Sequence, residues 1–132
     1  MSDEPTAEVF EHLSPLPFPA TVQRLEEAIA QAGLMLFSRI DHQAGARQAG
    51  LDMPPATVLT YGHAKGGTPI MLATPLAALD LPLRVLVHER EDGQTAIAFH
   101  PMGAVLRRAG VPEALAGRLD PAQLLLLKAL AA

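Results

Sequence analysis

No cysteine occurs in the 132 residues, which removes disulfides, thiolate nucleophiles, zinc ribbons and iron–sulfur ligation together. Tryptophan is absent too, and one tyrosine with four phenylalanines leaves too few aromatic faces for a base-stacking platform. Cations are in deficit. Ten Lys and Arg against fourteen Asp and Glu give a net charge of −4, a field that repels phosphate backbones, so nucleic acid is not an expected partner. No apolar segment approaches the roughly 20 residues that span a bilayer. The acidic start Met1-Ser2-Asp3-Glu4 has neither a basic nor an apolar leader region. A cytoplasmic location without membrane contact is the expectation.

What is present is a globular balance, 49% hydrophobic and 18% charged, in a length suited to one core. Residues 1–8 read as a flexible acidic tail and residues 9–132 as a single domain. Val9 to Leu13 is a strand candidate. Beyond Pro15, Pro17 and Pro19, the spacing of Val22, Leu25, Ile29 and Ala32 predicts an amphipathic helix closed by Gly33. Leu34 to Ile40 begins apolar on both faces, the pattern of a central strand. Asp41 can N-cap a short helix that stops at Gly50, and Ala56 to Tyr61 alternates as a strand.

Thr68 and Pro69 are suited to the N-cap and first position of a short helix through Ala73. Leu83–Arg90 and Thr95–His100 flank Asp92-Gly93, a hairpin pattern that sets His88 opposite Ile97 and Val85 opposite His100. That register sends His88 and His100 to opposite faces. Short helices follow over Gly103–Ala109 and Pro112–Leu119. The final helix, begun by Asp120-Pro121, carries Leu124 to Leu127 and must either dock deep in the core or be covered by a second subunit. The expected fold is α+β: one compact domain, a mainly antiparallel sheet of four to five strands, and helices packed on one face.

The stretch Tyr61-Gly62-His63-Ala64-Lys65-Gly66-Gly67-Thr68-Pro69 is the principal candidate for a ligand-binding site. Gly66 and Gly67 can turn the backbone, a Thr68 cap would expose N–H groups, and Lys65 adds a cation at a helix N-terminus, together the parts of an anion site. The competing reading is a plain strand-to-helix turn with Lys65 solvated. Thr68 rather than Lys follows the second glycine, so this is not a phosphate-binding P-loop. Asp41, His42 and His63 are candidates for a metal-holding or acid–base group if two strand ends bring them together. Against that, Asp41 can simply cap its helix, and no ligand spacing of the H-x-x-x-H kind appears. Asp80, alone among apolar residues, needs either a charge from Arg84 or Lys65, or backbone N–H groups across the Pro82 turn. No residue pattern names a cofactor.

Four ordered pieces carry a family resemblance: Arg24-Leu25 to Gly33, Ile40-Asp41-His42 with Ala44, Ala46 and Gly50-Leu51, Tyr61 to Thr68, and Ala78-Leu79-Asp80-Leu81-Pro82-Leu83. They span roughly residues 22–100. Together they resemble the small bacterial and archaeal family catalogued as domain of unknown function 302. The resemblance implies a compact α+β fold, often a homodimer, with no established reaction. This chain departs where the family has Gly-Asn-Pro-Lys, since His63 and Ala64 replace the amide and the proline. Three functions follow as expectations: a homodimeric binding module for a small anion at the 61–69 loop, a metal-dependent or acid–base enzyme using Asp41, His42 and His63, and a structural oligomerisation domain built on the leucine-rich C-terminus.

Overall fold

A computed structural model describes residues 8–131, so the expected tail lies, except for Glu8, outside the described residues. Five strands, β1 (Phe10–Leu13), β2 (Met35–Asp41), β3 (Ala56–Gly62), β4 (Leu83–Glu89) and β5 (Thr95–Phe99), form one antiparallel sheet in the order β1-β5-β4-β3-β2. The helices are α1 (Phe18–Gln31), α2 (His42–Gln48), α3 (Ala64–Ala73), α4 (Met102–Arg108), α5 (Glu113–Ala116) and α6 (Asp120–Leu130), with a 3-10 helix at Pro75–Asp80. The α+β fold expected from the pattern is the one found.

The core lies between one sheet face and the helices packed on it. Strict alternation in β3 buries Thr57, Leu59 and Tyr61, and register matches them with Val87, Val85 and Leu83 of β4. Val22, Leu25 and Ile29 of α1 and Leu126 and Leu130 of α6 belong to this cluster, as do Ile97 and Phe99 of β5, Ile70 of α3, and Met102 and Leu106 of α4. The C-terminal helix thus takes the first of its two expected courses and docks in the core, leaving Leu124 outside. Gln123 is the buried polar residue of α6. Its amide donates to the His100 carbonyl at 2.9 Å while its oxygen accepts the Met102 N–H at 2.9 Å, satisfying the chain where β5 gives way to α4.

Two expectations are corrected. β2 is an edge strand rather than a central one, and Met35, Leu36, Phe37 and Ile40 are exposed. An apolar run resembles a doubly buried strand whether a helix or solvent lies beyond it, and sequence alone does not distinguish the two. A register break at Phe37 adds an irregularity to this edge.

The hairpin is also shifted by one residue: His88 faces Ala96 and Val87 faces Ile97. The favoured two-residue turns both need positive φ at the first central position, here Asp92. Asp92 does not have it; the positive φ, 84°, is at Gly93. The loop therefore takes three residues, Glu91-Asp92-Gly93, closed by Arg90 N–H to Gln94 O at 2.7 Å and Gly93 N–H to Arg90 O at 2.9 Å. His88 consequently shares a face with Glu11, its Nε2 lying 3.0 Å from Oε2. The reason for placing His88 and His100 on opposite faces disappears with the expected register.

Candidate functional site

β3 ends at Gly62, whose φ of 157° lies in backbone space rarely open to side-chain-bearing residues. His63 follows in extended conformation and is the N-cap of α3, its Nδ1 accepting the Lys65 N–H at 3.0 Å. The His63 carbonyl accepts the Gly66 and Gly67 N–H groups at 3.0 and 3.1 Å. The cap thus lies at His63, five residues before the expected Thr68 cap. Lys65, Gly66 and Gly67 form its first turn, and Thr68 and Pro69 lie inside it. This corrects the glycine-turn basis of the anion reading: three first-turn N–H groups are occupied by His63, and neither glycine has positive φ.

Pro69 explains a contact that connects distant parts of the chain. Lacking an N–H, it cannot donate to the Lys65 carbonyl four residues back. Arg118 does so instead, its Nη2 reaching Lys65 O at 3.0 Å and its Nε reaching Gly66 O at 3.1 Å. Arg118 was not legible in the sequence as part of this region. The signal that could have pointed to it is the carbonyl that Pro69 orphans, visible once α3 is known to begin at Ala64.

A cavity of about 510 Å³ opens beside this junction. Its walls include Phe37 of β2, Met71 of α3, Leu81 and Leu83 after the 3-10 helix, and Leu119, with Gly62 and His63 at the strand end. The lining is mainly apolar. Ser38 and Thr60 contribute hydroxyls, but these lie 2.5 Å from each other and are mutually bonded. Gly62 and His63 also line a second cavity of about 460 Å³, where Lys65 and Arg118 supply positive charge. Its remaining walls, Leu34, Leu119, Ala122 and Leu125 among them, are apolar, and the two cavities share the Gly62–His63 wall.

The remaining candidates separate. Tyr61 points into the core, wholly buried, and its hydroxyl donates to the Ala122 carbonyl at 2.8 Å, tying β3 to α6. Burial pushes its phenol well above the ordinary range. Thr68 is exposed on α3. Asp41 caps α2 through Oδ1, which accepts the Ala44 N–H at 2.9 Å, and His42 is exposed beside it.

Register sets Asp41 opposite Thr57 and Gly62 opposite Met35, which separates the Asp41 and His63 ends of β3 by roughly 17 Å. The proposed Asp41, His42 and His63 group is thus not assembled, because a strand holds its two ends apart. Asp80 lies in a different cavity with Arg84, away from Lys65. Its carboxylate forms no hydrogen bond across the Pro82 turn among the described residues.

Gly67→Ala tests the helical assignment. A Cβ there meets Leu81 and Met71 carbons at 3.7 Å, ordinary contact. In thermal or denaturant unfolding the substitution is expected to stabilise by about 0.5–1 kcal/mol; clear destabilisation is the result that a flexible turn would give. Tyr61 supplies a pH test. Below about pH 10 the phenol is neutral in folded and unfolded chains alike. Above it the unfolded chain releases a proton that the folded chain retains, so stability falls as pH rises. Phenolate absorbance from this single tyrosine should therefore appear together with unfolding.

The crystal structure of an uncharacterised conserved DUF302 protein from Bacillus stearothermophilus superposes with a TM-score of 0.80 at 19% identity, covering 92% of this chain and 94% of that one. The shared feature is the fold. Two curated relatives, each named fluoride-specific ion channel FluC 1, from Brucella suis biovar 1 (strain 1330) and Brucella abortus biovar 1 (strain 9-941), are 36% identical over 74 residues. The match covers 56% of this chain but 29% and 27% of theirs. No helix among the described residues is long and apolar enough to cross a membrane. The profile of the family described as domain of unknown function DUF302 matches residues 10–132, and the chain belongs to that family.

Proposed function

We propose that the chain is a homodimeric module that binds a small, mainly apolar ligand beside Gly62 and His63. The observation that carries this reading is the cavity of about 510 Å³, walled by Phe37, Met71, Leu81 and Leu119 at the point where β3 breaks into α3. Size and lining match those of small-molecule sites. An anionic group on the ligand would meet Lys65 and Arg118 across the His63 wall, which keeps the expected charge preference while moving its source from backbone N–H groups to side chains. The Brucella proteins are named as fluoride channels, but the shared 74 residues are under a third of their length. We assign that shared stretch a binding role within a longer protein, not an ion path.

The dimer rests on exposed apolar surface. Leu72 and Leu76 are 79% and 83% exposed, and the β2 edge adds Met35 and Phe37 beside unpaired backbone groups.

Anilinonaphthalene sulfonate, an apolar anion, is expected to bind saturably with increased fluorescence. Ala78→Phe, which fills the cavity from an exposed position, should weaken that binding at least roughly tenfold. Unsaturable fluorescence, or an unchanged titration in the variant, contradicts the site. Light scattering after size exclusion is expected to give twice the 14.0 kDa chain mass, and Leu72→Asp with Leu76→Asp should give the monomer. A parent chain that remains monomeric at every concentration contradicts the dimer.

A further inference from the structure

The imidazole of His63 has two nitrogens, and the fold commits one of them. Nδ1 accepts the Lys65 N–H at 3.0 Å as the cap of α3. An imidazolium carries N–H at both nitrogens and cannot accept that bond, and a neutral ring accepts it only with its proton on the other nitrogen. The cap therefore fixes the tautomer, with Nδ1 bare and Nε2 protonated. Nε2 has no hydrogen-bond partner among the described residues. His63 is half-buried and borders the cavity of about 510 Å³. Capping the helix thus leaves one neutral, donor-only group at the edge of an apolar space.

The other polar side chains of this cavity do not discriminate in the same way. Ser38 and Thr60 are bonded to each other at 2.5 Å, and a hydroxyl both donates and accepts. The Nε2–H group requires an acceptor. Among Phe37, Met71, Leu81 and Leu119 a charged acceptor would be desolvated without a counter-charge, whereas a ketone, ester or amide carbonyl gives up less hydration for the same bond.

Building on the binding role given above to this cavity, we propose that its ligand carries a neutral carbonyl oxygen that accepts from His63 Nε2–H, with the apolar body against Met71 and Leu119. His63 is then a helix cap and a specificity-determining residue at once. Acetophenone and α-methylstyrene are the probes, since they share a shape and differ in a carbonyl against a methylidene group. At about pH 8, above the range in which imidazoles ordinarily titrate, nitrogen NMR of the rings is expected to place the His63 proton on Nε2 alone, while exposed His42 exchanges between tautomers. Acetophenone should move the Nε2–H resonance downfield, and α-methylstyrene should not.

His63→Asp separates the two roles, because a carboxylate caps a helix but has no proton to donate. The variant should unfold at a temperature close to the parent's. Its affinity for acetophenone should fall at least roughly fivefold while that for α-methylstyrene is unchanged. A His63 proton on Nδ1, an Nε2–H resonance that responds alike to both probes, or an acetophenone affinity unchanged in His63→Asp overturns the proposal and leaves the cavity standing as a binding site. Failure of both probes to bind saturably overturns the cavity as a binding site, and the proposal with it.

Discussion

The strict alternation of β3 is the constraint on which the other elements depend. Thr57, Leu59 and Tyr61 are buried, and that parity aligns the core residues of β4 and sets the face on which α1 and α6 pack. It also commits Tyr61 to reach α6 through its hydroxyl. A one-residue slip in β3 would carry these inward side chains to the other face and remove the Tyr61–Ala122 bond. The site follows from where this alternation stops: Gly62 turns the chain, and His63 begins a helix.

At that junction, backbone hydrogen-bonding demand determines what is available for ligands. His63 occupies the Lys65, Gly66 and Gly67 N–H groups, while Pro69 leaves a carbonyl that Arg118 satisfies. The polar groups nearest the strand end are thus largely engaged with one another. What remains open is apolar wall on both sides, with the Lys65 side chain on one of them. A generic glycine-rich anion loop would have presented the reverse, free N–H groups on flexible backbone.

Edges account for most of the unexplained surface. β2 lies at the end of the sheet with Met35, Leu36 and Phe37 exposed, and Leu72 and Leu76 stand out on α3 and the 3-10 helix. Phe37 also walls the cavity beside His63, so an association through the β2 edge would cover residues of that cavity.

Local chemistry was readable wherever a residue's role is settled within a few positions. The α1 stripe, Asp41 as a cap, the left-handed glycines 33, 50 and 93, and the α+β class all follow from spacing and conformational preference. The family frame was legible for the same reason, as ordered local pieces. Roles that depend on a partner far along the chain were not. Whether Leu34 to Phe37 meets a helix or solvent, which register the hairpin adopts, and which donor replaces the N–H missing from Pro69 are decided by tertiary packing. His63 marks the boundary between the two. Its identity suggested chemistry shared with Asp41 and His42, but the rigid length of β3 holds those ends apart, and folding instead makes it a helix cap on a wall between two cavities.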